Sequence, residues 1–190
     1  MRRFALLVFF MMLPLCIFAA PFGLKMGMTI DEIAKQCEEG PAHIEDDIYI
    51  IEPVKKHPLF EYYAVYIDEK EGLYQIRAIS DEIKCNKYGA ELQNAFHNVK
   101  DRIAKTYGNP KVTDKVDTNS LFKDDDYWFY TLKEGSRELY ATWGEETELS
   151  DNLAGIVLDC VASSYGKGQL VLYYYFKNAD NVEDAQDSVF

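Results

Sequence analysis

Short strand-like runs joined by tight turns constrain this chain more than any other feature. Phe60–Asp68 (FEYYAVYID) and Gly72–Ser80 (GLYQIRAIS) are rich in β-branched and aromatic residues, and only the turn Glu69-Lys70-Glu71-Gly72 joins them. A connection that short closes an antiparallel hairpin, because a parallel crossover needs a dozen residues or more. The pattern recurs in Asp47–Glu52, Tyr127–Lys133 (YWFYTLK), Arg137–Trp143, Leu153–Ser163 and Gln169–Lys177. Glu134-Gly135-Ser136 and Tyr165-Gly166-Lys167-Gly168 read as further hairpin turns. An antiparallel sheet is the expected framework.

Two segments follow the helical period instead. Thr29 with Glu32 forms a capping box, Met28 and Ile33 a hydrophobic staple, and Ile30, Ile33, Ala34 and Cys37 an apolar face. Gly40-Pro41 is expected to stop that helix. The second helix spans about Gly89–Tyr107, with Leu92, Phe96, Val99, Ile103 and Tyr107 as its stripe, and ends at Gly108-Asn109-Pro110. The expected fold class is α+β, two helices packed on an antiparallel β-sheet. Ile33-Ala34-Lys35 and Ile103-Ala104-Lys105 match, as do Leu73-x-x-Ile76 and Leu153-x-x-Ile156. The order of elements repeats with them, which points to a tandem α-β-β-β duplication with halves 21–86 and 87–177 sharing one core. The acidic stretch 178–190 is expected to fray.

Residues 1–20 (MRRFALLVFFMMLPLCIFAA) have the charged start, apolar middle and small closing residues of a secretory signal. The apolar run is shorter than the roughly 20 residues of a bilayer-spanning helix, so no stable span is expected after processing. Leu13-Pro14-Leu15-Cys16 has the outline of a lipid-attachment box, but Leu15 is too large before the cysteine, and a lipid anchor at Cys16 is the lesser reading. The expected address is the periplasm of a Gram-negative bacterium. Removing the leader takes the formal charge from −12 to −14, since it holds two arginines and no acid. A chain this acidic is not expected to bind nucleic acid. Of the remaining cysteines, Cys160 falls in phase with Ile156, Leu158 and Ala162 in a core strand, and Cys37 with Cys85 is the pair open to a disulfide.

The stretch Gly23–Ile33 carries a Gly27-Met28-Thr29-x-x-Glu32-Ile33 motif at the opening of a helix. It resembles the lead element of BamE/SmpA-type outer-membrane assembly lipoproteins and the helix-plus-sheet modules of beta-lactamase-inhibitor-like proteins. The wider pattern is similar to uncharacterised secreted bacterial proteins. The resemblance implies a fold and no chemistry, because capping and stapling account for the motif.

Catalytic and metal signatures are weak. His43, His57 and His97 have no ligand spacing, and neither H-E-x-x-H nor G-x-S-x-G occurs. Cys85 with His57 or His97 is a formal nucleophile–base pair, outweighed by a structural role. Glu45-Asp46-Asp47, Asp124-Asp125-Asp126 and Glu145-Glu146 read as solvated loops. No cofactor and no metal is expected. The 14 tyrosines are more informative, since most of them fall within the strand-like runs. Tyr62, Tyr66, Trp128, Tyr130, Trp143, Tyr173 and Tyr175 are the candidate binding residues, because tyrosine and tryptophan combine contact area with a polar handle. The expected function is a non-enzymatic protein-binding or inhibitor-like module with an acidic, tyrosine-rich sheet surface and a partner of basic character. Envelope assembly and a hydrolase with an unrecognised site are the alternatives.

Overall fold

A computed structural model describes residues 20–122 and 124–187. The elements are α1 (Ile30–Ala34), β1 (Cys37–Glu45), β2 (Ile48–Pro53), β3 (Phe60–Asp68), β4 (Gly72–Ser80), β5 (Ile83–Lys84), α2 (Ala90–Tyr107), β6 (Lys111–Val116), α3 (Trp128–Lys133), β7 (Arg137–Trp143), β8 (Leu153–Ser164), β9 (Lys167–Phe176) and α4 (Ala179–Asp187). All the strands join one antiparallel sheet in the order β1-β2-β3-β4-β9-β8-β7-β6, with the short β5 beside β9. The fold is α+β. Strands β1–β4 and strands β6–β9 form two groups that meet edge to edge where β4 pairs with β9, with β5 preceding α2 and α3 lying between β6 and β7. The expected leader, with Cys16, lies outside the described residues, apart from Ala20. No described helix is long and apolar enough to cross a membrane.

One face of the sheet carries the main core. Tyr63, Val65, Ile76, Leu158, Leu170, Leu172 and Phe176 meet Leu92, Phe96, Val99 and Ile103 of α2, and Trp128, Phe129 and Leu132 of α3, in a single buried cluster. The α2 stripe is the one its 3.6-residue period predicts. The Gly-Met-Thr motif is anchored at β4: Gly27 N–H donates to the Leu73 carbonyl and Leu73 N–H to the Met28 carbonyl, both at 2.9 Å. Gly72 has φ +68°, and a Cβ there would overlap the Gly27 backbone, so this close approach requires glycine. The Glu32 carboxylate accepts from the Thr29 N–H at 2.9 Å and from its hydroxyl at 3.0 Å, and these bonds pull it below the usual carboxylate range.

Several expectations need correction. The first helix ends at Ala34, and Gly40-Pro41 lies inside β1, at a register shift between Glu39 and Ala42. An edge strand tolerates a proline there because its outward N–H has no neighbour to serve. YWFYTLK is not a strand: Trp128, Phe129, Thr131 and Leu132 are buried at helical spacing in α3. Its aromatic content suggested a strand, but burial of adjacent Trp128 and Phe129 breaks a two-residue alternation and suits a helix. Glu134-Gly135-Ser136 therefore leads from a helix into β7 rather than closing a hairpin. Lys111–Val116, a polar stretch without apolar alternation, is the other edge strand, with Lys111 and Lys115 exposed as lysines on edges commonly are. The stretch after β9 forms α4 instead of fraying, with Ala179 and Val182 buried and the Asn178 amide donating to the carbonyls of Glu71 (2.8 Å) and Leu73 (3.2 Å). Four α-helices, not two, are present among the described residues.

Candidate functional site

Side chains alternate across a strand, so the register places every second residue on the face that α1, α2 and α3 leave uncovered. One row on that face runs Ile50–Ala64–Arg77–Tyr173–Val157–Thr142 across β2, β3, β4, β9, β8 and β7. A flanking row runs Ile48–Tyr66–Gln75–Tyr175, and the next Tyr62–Ile79–Val171–Asp159–Tyr140. The two halves of the chain thus build one continuous surface across the β4–β9 joint.

Arg77 occupies its centre. Its guanidinium lies 5.2 Å from the ring centroid of Tyr66 and 5.2 Å from that of Tyr173. Tyr173 in turn stacks on Tyr175, with centroids 6.0 Å apart and an interplanar angle of 13°. Tyr66 meets Tyr74 edge-on at 6.1 Å, and the Tyr74 hydroxyl donates to the Asp47 carboxylate. Burial first, and the Asp47 bond second, push the Tyr74 phenol up, so it stays a neutral donor. No carboxylate pairs with Arg77 among the described residues, and its Nε is buried with no hydrogen-bond partner. Two aromatic faces stabilise the cation without using its donors, since a ring offers its quadrupole and not a lone pair.

The expected binding residues divide. Tyr62 is 57% exposed, Tyr173 and Tyr175 are half-buried beside Arg77, and Tyr66 is buried beneath it on the same face. Trp128 and Trp143, at 3% and 4% exposure, belong to the helix-covered core and offer no surface. The Trp143 indole donates to the Gly108 carbonyl at 2.7 Å, tying β7 to the end of α2. Tyr130 is exposed on α3, away from the tyrosine rows. Arg77 was missed, although GLYQIRAIS places it in phase with a strand face opposite Ile76 and Ala78.

Charge is distributed differently from the expectation of an acidic surface. At the centre the local charge is that of Arg77. Glu45-Asp46-Asp47 sits at the β1–β2 turn, Glu145-Glu146 follows β7, and Asp124–Asp126 precedes α3. Asp125 and Asp126 are not merely solvated: Asp125 lies 3.4 Å from Arg137, and Asp126 lies 3.5 Å from Lys87. Asp159 is the acid within the rows, raised to about 6 by burial, with Glu138 adding to the effect.

Cys37 and Cys85 are free thiols, which corrects the disulfide expectation. Cys37 is in β1 and Cys85 follows β5, which shares the β4 side of β9. Three strand spacings therefore separate them, roughly 14 Å, against a Cα limit of about 7 Å for a bridge. The Cys85 thiol donates to the Ile83 carbonyl at 3.2 Å, and burial pushes its pKa up, opposite to the activation a nucleophile needs. Cys160 is buried in the core. No family model, no curated protein and no solved structure matches this chain, so the site rests on its own geometry.

Proposed function

We propose that this chain is exported to the periplasm and acts there as a non-enzymatic, inhibitor-like module that binds a protein partner on the tyrosine face of its sheet. The observation that carries this reading is Arg77, held between Tyr66 and Tyr173 with no carboxylate partner among the described residues. A guanidinium fixed by rings has lost much of its rotamer freedom before a partner arrives, which lowers the ordering cost of binding. Arginine and tyrosine at the centre of a patch are the residue types that dominate binding energy at protein interfaces. The partner that fits sets an acceptor against Arg77 and has a basic periphery facing the acidic loops. Strands β1–β4 and β6–β9, each group entered from a helix and joined through β4 and β9, support a duplicated origin for this surface.

Affinity capture of the tagged mature protein from envelope extract tests the reading. Arg77→Gln and Tyr173→Ala should each weaken capture by roughly tenfold or more, as truncated hot spots do. Added salt should slow association, because the acidic loops steer a basic partner at long range. Undiminished capture by the Arg77→Gln, Tyr173→Ala double variant would sink the proposal.

A further inference from the structure

A second site lies away from the tyrosine face. The stretch leading into α2, the helix α3 and the β8–β9 hairpin enclose a cleft of about 330 Å³. Phe129 is buried against the core, and Tyr130 and Tyr165 stand at the cleft more exposed. Cys85 N–H donates to the Gly166 carbonyl at 2.8 Å, so the hairpin is fixed to the segment that enters α2. Tyr127 lines the same cleft, and Phe122 packs edge-on against Tyr127 at 5.1 Å and Tyr130 at 5.0 Å, extending the aromatic wall.

The charge of the cleft is opposite to that of the chain. The protein has 32 acidic and 20 basic residues. The cleft is lined by Lys87 and Lys133, with Asp126 as its carboxylate. Lys133 is half-buried, sits 5.6 Å from the Tyr165 ring centroid, and makes no ion pair among the described residues. Lys87 pairs with Asp126 at 3.5 Å, but both side chains are more than half exposed, and a pair of that kind contributes little and is easily exchanged. Aromatic walls with an ammonium group lacking a carboxylate match an apolar body that ends in an anion. The volume is at the lower end for small-ligand sites and suits a fused aromatic ring with a short acidic arm.

We propose that this cleft binds a small aromatic carboxylate, with the ring between Phe129, Tyr130 and Tyr165 and the carboxylate on Lys133. Cys85 lines the cleft and supplies the readout. Naphthalene-2-acetate is the probe, naphthalene-2-acetamide its neutral counterpart, and binding is followed by calorimetry together with alkylation of Cys85 mapped by peptide mass. The acid should bind and slow Cys85 alkylation while leaving Cys37 unchanged. The amide should bind roughly tenfold more weakly, the loss expected for one charged contact. Lys133→Met should bring the acid down to the level of the amide, and Arg77→Gln should leave it unchanged, which separates this site from the sheet face. Equal binding of acid and amide, indifference to Lys133→Met, or no protection of Cys85 at millimolar acid overturns the assignment. Tyr165→Ala, on an exposed turn where folding is not at stake, should weaken both ligands; if it does not, the ring is not seated where we place it.

Discussion

Arg137 offers the sharpest test of how the second half is held together. Its side chain is 7% exposed, at the start of β7. Nη1 donates to Asp114 of β6 at 2.9 Å, Nη2 to Asp125 at 3.4 Å, and Nε to the Thr131 hydroxyl at 3.3 Å. Its guanidinium also lies 5.6 Å from the Trp128 ring centroid. One cation thus joins the edge strand, the turn before α3 and α3 itself. The carboxylates are far more exposed than the cation, at 47% for Asp114 and 90% for Asp125, and that asymmetry sets the expected energetics. Asp114→Ala leaves a buried charge whose remaining carboxylate is Asp125, a long and exposed contact. The loss should approach the lower end of the range for an orphaned buried charge, about 3 kcal/mol. Arg137→Met removes the charge, keeps an apolar stem on Trp128, and leaves two carboxylates that water can solvate, so it should cost only about 1 kcal/mol. For a domain of this size, the first change lowers Tm by about 6–12 °C and the second by about 2–4 °C. Thermal unfolding followed by circular dichroism at low salt measures both. An Arg137→Met variant less stable than Asp114→Ala would refute the argument, because the guanidinium contacts would then outweigh the cost of stranding it.

Gly89 and Gly135 both have positive φ, +65° and +71°. A Cβ at Gly89 would overlap the Trp128 ring, whereas nothing lies within 4 Å of one at Gly135. Gly135→Ala should therefore cost about 1 kcal/mol of backbone strain, and Gly89→Ala at least about 3 kcal/mol, as read by urea unfolding. Asp159 is raised to about 6, above its value in the unfolded chain, so its ionisation opposes folding as pH climbs. Asp159→Asn should match the wild type below about pH 4 and be more stable above about pH 6, by roughly 1–2 kcal/mol after allowance for solvent access. A constant difference across that window would contradict the assignment. Because Cys37 and Cys85 are unbridged, a reducing agent should leave Tm unchanged, and thiol titration of the unfolded protein should find both free.

The legible parts of the fold were those whose signals are local. The β3–β4 hairpin combines strand residues with a turn too short for any other connection, and its bounds are Phe60–Asp68 and Gly72–Ser80 as expected. The α2 stripe is likewise complete within one segment, since Leu92, Phe96, Val99 and Ile103 all face the core. β1 and β6 lacked such a signal. Their residues are mostly exposed, so no apolar period marks them, and only backbone pairing with β2 and β7 makes them strands. In α3 the aromatic content points to a strand, whereas the burial of Trp128, Phe129, Thr131 and Leu132 follows a helical period. α4 was hidden because its support, the Asn178 amide on the β3–β4 turn, comes from more than a hundred positions away in sequence.

The sequence by itself determined an antiparallel α+β framework, the capped lead helix, the α2 face and the concentration of tyrosine on strands, because each depends on neighbours within one or two turns of chain. Tertiary structure alone decided where those tyrosines went. The β4–β9 joint brings Arg77 beside Tyr173, whereas Trp128 and Trp143 turn into the core. The same long-range packing sets Lys133 against Tyr165 and leaves Cys37 and Cys85 apart. Composition records that a chain has cations and rings, but whether a given cation finds a carboxylate or a ring depends on which strands become neighbours. In this protein that pairing sets Arg77 against Tyr66 and Tyr173 and Lys133 against Tyr165, and neither cation has a carboxylate partner among the described residues.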